Sequence, residues 1–262
     1  MSAALLEIAE LRLGFGGDRP FEALSGVGFT MGRERLGIVG ESGSGKSLTG
    51  RSILRLPPPG AVMSARRLSF DGIDLLTAGE DALRALRGRR IGLVLQDPRF
   101  SLNPVMAVGR QIAEAYRAHG RAGAREAREK ALAMLEAVRI REPGRVFDLY
   151  PHQISGGMGQ RVMIAMMLAP GPDLLIADEP TSALDVTVAI DVLSILDEEV
   201  SRRGMGLVFI SHDLDLVAGF CDRVLVMERG RIVESCEAAA LESAEHPYTR
   251  RLLASRPRRR AS

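Results

Sequence analysis

The segment Gly40-Glu-Ser-Gly-Ser-Gly-Lys-Ser47 sets three glycines, a lysine and a hydroxyl at the spacing of a phosphate-binding loop. Glycine at 40, 43 and 45 lets the backbone curl so that successive amide hydrogens, and the N-terminus of a following helix, face phosphate oxygens. Glu41, Ser42 and Ser44 complete the cradle, and Leu48 belongs to the first helical turn beyond it. Lys46 is placed to reach β- and γ-phosphates, and the Ser47 hydroxyl to coordinate Mg²⁺. With this chain's own residue frequencies, chance yields the pattern on the order of twice in a thousand such sequences.

A second chemical feature is the acid pair Asp178-Glu179, delivered by the apolar run Leu174-Leu-Ile-Ala177 and closed off by Pro180. Adjacent carboxylates repel, so each is best served by its own partner: Asp178 toward the Mg²⁺ shell, Glu179 toward water attacking a γ-phosphate. Two solvated acids at an exposed strand end are the bland alternative. Gln96 follows an apolar run and can touch both metal-bound water and a mobile neighbour, although an isolated loop glutamine is more often surface decoration. His212 also follows an apolar run, where a lone histidine commonly caps or supports. Ser155-Gly156-Gly157 at the start of a methionine-rich helix is either a second anion site or an ordinary cap. The stripe Val162, Met163, Met166, Met167 reads as core packing.

These residues need a core to hold them. The chain has 262 residues, 46% apolar and 26% charged, enough for a sizeable core and unlike a disordered or fibrous chain. Apolar runs of strand length recur at 36–39, 91–95, 174–177, 207–210 and 224–227 with helical patterns between several of them, an α/β rhythm. The segments 5–13 and 21–31 are extended and joined by a turn at Gly16 to Asp18, which predicts a small antiparallel sheet beside the main one. From 98 to 169 the strand pattern gives way to three helical segments, 108–118, 124–138 and 157–169. The Pro57-Pro-Pro-Gly60 stretch is a turn within a domain.

Composition narrows the class further. The net charge of +2 gives no case for a nucleic-acid partner. No apolar stretch reaches the roughly 20 residues of a bilayer span, and Met1 to Glu10 lacks a signal pattern, so a cytoplasmic chain is expected. Cys221 and Cys236 fit no metal-ligand spacing and are read as reduced and structural. Of 35 basic residues only Lys46 and Lys130 are lysine, so Lys46 marks a place where a compact ammonium is needed. Six arginines crowd the end, at 250, 251, 256, 258, 259 and 260, and read as a solvated tail or a contact for anionic headgroups.

In chain order, the phosphate loop, Gln96, Ser155-Gly156-Gly157, Asp178-Glu179, Ser182-Ala-Leu-Asp185 and His212 resemble the ABC ATPases over nearly the whole chain. The resemblance implies a P-loop, RecA-like α/β core with an N-terminal antiparallel β subdomain and an inserted α-helical subdomain. As boundaries it implies 1–97 and 170–262 for the core and 98–169 for the helical part, within one ABC domain over 1–262. It also implies a head-to-tail dimer, in which Ser155-Gly156-Gly157 of one subunit closes over the γ-phosphate of ATP held by the other, with Asp185 among the nucleotide-binding residues and a γ-phosphate sensor at His212. Phe15, ending the first strand, stands where the family has an aromatic against adenine; plain sheet packing is the other reading.

The finer resemblance is to ATP-binding subunits of oligopeptide, dipeptide and nickel importers. It rests on Gln96-Asp-Pro, Ser101-Leu-Asn-Pro104, Ser155-Gly-Gly-Met158, Asp178-Glu-Pro-Thr-Ser-Ala-Leu-Asp-Val-Thr187 and His246-Pro-Tyr-Thr249. Met158 and Gly159 depart from the general signature, where longer polar residues are usual, and are expected to tune closure. The implied ligands are ATP and Mg²⁺. The implied partners are membrane-spanning permease subunits, a like or related ATPase as dimer partner, and indirectly an extracytoplasmic substrate-binding protein. The implied location is peripheral, on the cytoplasmic face of the inner membrane. Peptide-importing members often continue past His-Pro-Tyr-Thr into a cysteine-rich extension; without it here, nickel-type and shortened peptide-type subunits both stay open. A soluble ABC ATPase, such as that of a phosphonate-breakdown complex, shares the same nucleotide residues. A metabolic kinase would not need the Ser155-Gly156-Gly157 site.

Overall fold

The computed structural model describes residues 4–17, 20–119 and 122–256. Asp18 of the first turn, Arg258, Arg259 and Arg260 of the terminal arginine cluster, and the first residues of the N-terminal segment lie outside these ranges.

In chain order the strands and helices are β1 (Leu6–Phe15), β2 (Phe21–Met31), β3 (Arg35–Val39), α1 (Lys46–Ile53), β4 (Ala61–Ser64), β5 (Arg67–Phe70), β6 (Ile73–Asp74), α2 (Glu80–Leu86) and β7 (Ile91–Val94). There follow α3 (Val108–His119), α4 (Ala124–Ala137), α5 (Pro143–Phe147), α6 (Gly156–Leu168), β8 (Leu174–Asp178), α7 (Val186–Arg203), β9 (Gly206–Ile210), α8 (Leu214–Phe220), β10 (Arg223–Glu228), β11 (Arg231–Glu237) and α9 (Pro247–Ala254). The chain divides into two compact units, Met1–Ala78 with Val208–Ser262, and Gly79–Leu207.

The first unit carries the antiparallel sheet expected from the N-terminal segment. β1 sits between β2 and β5, with β6 beyond β5 and β4 also paired to β1. Leu6, Ile8, Leu11 and Leu13 of β1 are buried beside Leu24, Val27 and Met31 of β2, so one face of this sheet forms a core. The same unit holds β11, β10, β3 and β9 side by side. β10 runs parallel to β3 with Leu225 opposite Ile38, and β11 returns antiparallel to β10. Every residue of β3 from Leu36 to Val39 is buried, as a strand covered on both faces requires.

In the second unit β7 and β8 pair in parallel, Leu93 opposite Ile176. Three helices of this unit, α3, α4 and α6, match the segments 108–118, 124–138 and 157–169 to within a residue at each end, while α2, α5 and α7 have no counterpart among the segments read from the sequence. They pack through small-to-large contacts: the face of Gly109 on α3 is filled by the Phe147 ring of α5, and the Arg128 guanidinium of α4 lies 4.1 Å from that ring's centroid.

Both cysteines are free thiols. Burial pushes the Cys221 thiol up to about 12 and raises that of Cys236 as well, so neither has the thiolate character of a redox site. One of the terminal arginines, Arg256, corrects the expectation of a solvated tail. Arg256 pairs with Asp215 at 2.9 Å and with Glu242, and its side chain is largely covered. Arg251, on α9, pairs with Glu228 at 3.4 Å. Arg256 anchors the end of the C-terminal helix region, while Arg251 stays mostly exposed, as a solvated arginine would; the helical periodicity of 247–254 was hidden by the charge run. Among the described residues, no helix is long and apolar enough to cross a membrane.

Candidate functional site

In the first unit, β3 ends at Val39 and the chain enters the glycine loop. Gly40 has φ 151° and a Cβ there would collide with the Met227 carbonyl, so the strand exit tolerates no side chain. Gly43 (φ 80°) faces open space, whereas a Cβ on Gly45 (φ 104°) would stand 2.7 Å from Leu24 Cδ2. Two of the three glycines are thus required by close approach and one by backbone direction alone.

Gly45 is the N-cap of α1, and no side chain caps that terminus. The first amides of α1 are directed into the loop, the arrangement that favours an anion. Lys46 is only 5% exposed. Its Nζ donates to the carbonyls of Gly40 at 2.7 Å and Glu41 at 2.9 Å, so the ammonium is wrapped by the loop that precedes it. The Ser44 hydroxyl is buried with no hydrogen-bond partner among the described residues, while Ser47 and Leu48 are half-buried at the helix start. Glu41, Ser42 and Gly43 are exposed on the loop's outer side. A cradle with a buried cation and a helix N-terminus fits a bound phosphate chain.

Phe15 ends β1 directly opposite Phe21 of β2 and beside Ala61 of β4. Directly opposed residues share a face of the sheet, so Phe21, 63% exposed, is a second aromatic that the sequence reading overlooked. His212 is exposed just after β9; the Ser211 hydroxyl accepts the Asp213 amide at 3.0 Å, and Asp213 caps α8 by accepting the Leu216 amide.

The second unit holds the remaining candidates. β8 delivers a buried Asp178, and Glu179 follows with φ 48°, a left-handed conformation that costs a non-glycine residue about 1 kcal/mol or more. The turn beyond is held by the Ser182 hydroxyl donating to the Glu179 carbonyl at 3.1 Å. Gln96 is exposed after β7, and Asp97 caps the short turn that follows by accepting the Arg99 amide at 2.9 Å.

Ser155 is the N-cap of α6, its Oγ accepting the Met158 amide at 3.3 Å. Ser155 and Gly156 are exposed, so this helix start is open to an incoming group. Gly157 has a different reason to be glycine: a Cβ there would lie 2.6 Å from Val188 Cγ1 of α7. Gly159 similarly faces the Pro98 ring at 3.4 Å. Asp185 caps α7 by accepting the Val188 amide at 3.0 Å. A cleft of about 400 Å³ is lined by Arg99, Leu102, Pro151, Ser155, Gln160 and Leu184, among others.

A glycine loop wrapping a buried lysine at an uncapped helix start, on a parallel strand of an α/β fold, defines a phosphate-loop nucleotide-binding protein. The pattern of the ABC transporter family matches residues 24–182, more than half of the chain, and the chain belongs to that family. It is an ATP-binding cassette with ATPase activity.

Relatives in curated collections extend the likeness over nearly the full length. The chain is 50% identical, over 98% of its own length and 78% of the relative's, to a Sinorhizobium fredii protein named probable peptide ABC transporter ATP-binding protein y4tR. It is 45% identical to the Escherichia coli dipeptide transport ATP-binding protein DppD, over 97% of its own length and 79% of that protein's. Among solved structures, the ATP-binding cassette MJ0796, a dimer in a post-hydrolysis state with ADP and Pi, matches with a TM-score of 0.80 at 26% identity, covering 89% of this chain and 98% of that one.

Proposed function

We propose that this chain is the ATP-hydrolysing subunit of an importer for peptides. The observation that carries the reading is the glycine loop with its buried Lys46, set in a chain 50% identical to y4tR and 45% identical to DppD over nearly its whole length. The names of those relatives favour a peptide cargo over nickel or other metal chelates.

Each candidate residue has a role in this reading. The backbone of Gly40, Glu41, Ser42, Gly43, Ser44, Gly45, Lys46, Ser47 and Leu48 cradles the phosphate chain, and Lys46 Nζ exchanges loop carbonyls for β- and γ-phosphate oxygens. Phe15 stacks on adenine, worth about 1–3 kcal/mol. Mg²⁺ takes oxygen donors and needs only one or two carboxylates beside substrate phosphates, and Ser47, Gln96 and Asp178 supply a hydroxyl, an amide and a carboxylate of that kind. Glu179 polarises the attacking water. His212 contacts the γ-phosphate as sensor and stabiliser.

The exposed start of α6 at Ser155-Gly156-Gly157, with Asp185, completes the site of a dimer partner, either a second copy or a related ATPase. The segment 98–169 converts closure into movement of membrane-spanning permease subunits, which receive cargo from an extracytoplasmic binding protein. Phe100 and Val105, more than four-fifths exposed, give that segment an apolar face for such a partner. The chain then works at the cytoplasmic face of the inner membrane.

The test is Glu179→Gln in the purified chain together with capture of the native complex. The variant is expected to retain ATP and accumulate closed dimer while turnover collapses, and the complex to carry integral membrane proteins. Preserved turnover refutes the role of Glu179; companions that are only soluble enzymes refute transport.

A further inference from the structure

The motif His246-Pro-Tyr-Thr249 takes no part in the chemistry above, yet the structure accounts for its first three residues. His246 caps α9, its Nδ1 accepting the Tyr248 amide at 3.3 Å, and Pro247 fills the first helical position, where its missing amide hydrogen is no loss. The Glu234 carboxylate accepts the Glu245 amide at 2.9 Å and steadies the entry to the helix. Tyr248 is therefore presented in one pose, and it is only 3% exposed. Its ring carries the Arg251 guanidinium 5.6 Å from the centroid. Burial holds its phenol above the usual range, so the oxygen belongs to a neutral hydroxyl at neutral pH.

That hydroxyl oxygen accepts the N–H of Glu41 at 3.0 Å. The N–H of Glu41 and the C=O of Gly40 lie in one planar peptide unit, and the Gly40 carbonyl accepts Lys46 Nζ at 2.7 Å. A single rigid plane thus has α9 on its donor side and the phosphate-reaching ammonium on its acceptor side. When Lys46 exchanges that carbonyl for a phosphate oxygen, the bond on the acceptor side is lost. The Tyr248 bond then keeps the plane from turning and the loop from relaxing away from the anion.

We propose that Tyr248 is a positioning residue of the phosphate loop, fixing the Gly40–Glu41 peptide so that Lys46 and the loop amides are preorganised for nucleotide. The proposal rests on the reading of residues 40–47 as the ATP site. It also gives the His-Pro-Tyr-Thr segment a duty: whatever moves α9 changes affinity for ATP.

The experiment is Tyr248→Phe in the full chain, which removes the oxygen and keeps the ring. One neutral hydrogen bond corresponds to about a three- to tenfold change in an equilibrium constant. The dissociation constant and KM for ATP with Mg²⁺ are expected to rise about that much, with kcat within about twofold and the melting temperature without nucleotide lowered by at most about 4 °C. A lower melting temperature with unchanged KM and affinity would reduce Tyr248 to a packing residue and overturn the proposal, as would no change in any of these. In the unaltered chain, the Glu41 amide is expected to be protected from hydrogen exchange; exchange as fast as an exposed loop amide would overturn it without any variant. If the unaltered chain binds no ATP, the reading of the loop itself fails, an outcome distinct from equal binding by both forms.

Discussion

A Cβ added to Gly157 would stand 2.6 Å from Cγ1 of Val188, so the second glycine of the signature segment is required by the packing of α6 on α7. Valine is stiff about χ1 and cannot swing aside cheaply. Gly157→Ala gains helix propensity but overpacks this contact, and a net destabilisation of about 1–2 kcal/mol is expected. Melting should show it, and Val188→Ala in the same chain should restore most of the loss. Lost activity in the single variant is then no proof that Gly157 touches phosphate; activity recovered in the double variant would assign the defect to packing. An unchanged melting temperature in Gly157→Ala would show that α7 yields.

Phe15 and Phe21 face one another across β1 and β2, which turns the adenine question into a comparison. Phe15→Ala is expected to weaken ATP binding about fivefold or more, the lower range of a base-stacking contact, while the phosphate contacts persist. Phe21→Ala, at an exposed position, is expected to leave affinity within about twofold. Titration of both variants with ATP checks this. The reverse ranking would move adenine onto Phe21 and leave Phe15 as sheet packing.

Glu199 sits on α7 with its side chain almost fully covered, ion-paired to Arg202 and Arg203 at 2.7 Å each. Arg203 also donates to the Leu168 carbonyl at the end of α6, tying the two helices. Burial alone would raise the Glu199 carboxyl, but its hydrogen bonds and charge pairing with the two arginines outweigh that and hold it below the usual range. A depressed carboxylate contributes stability that is complete above the unfolded value, roughly 4.3, and is lost as pH falls through the folded value. Glu199→Gln should therefore cost about 1–3 kcal/mol at pH 7. The gap in melting temperature between the two proteins should narrow below about pH 4. A gap that stays constant through acid would remove Glu199 from the ionic account.

Much of this architecture was legible because the signals were local. β3, β7, β8 and β9 are continuous apolar runs ended by chemically distinctive residues, and α3, α4 and α6 keep a helical period long enough to read. α5 and the strands β4 to β6 are only two to five residues long, too short to show a period, and they exist through pairing and packing. The loop's lysine was visible from composition. That Gly157 answers to Val188, that Phe21 lies opposite Phe15, and that Tyr248 meets Glu41 across 207 positions of sequence are tertiary facts with no local mark. The His-Pro-Tyr-Thr motif was the one available pointer to the last of these, and it became interpretable only when His246, Pro247 and Tyr248 were seen in place.

Lys46 gives the most stringent prediction, because the chain uses arginine for almost every other cation. Its Nζ is enclosed between two carbonyls at 2.7 and 2.9 Å in a site only 5% exposed. A guanidinium is planar, bulkier and rigid in its donor directions, so it cannot take a position built around a point-like ammonium. Lys46→Arg is therefore expected to behave like Lys46→Ala despite keeping the charge. Turnover should fall by about a hundredfold or more in both, the scale for removing one preorganised electrostatic partner of a transition state. Steady-state hydrolysis and ATP titration of the two variants, measured beside the unaltered chain, decide the matter. If Lys46→Arg retained a tenth or more of the activity while Lys46→Ala lost it, positive charge alone would be the requirement. The enclosure by Gly40 and Glu41 would then have no bearing on catalysis.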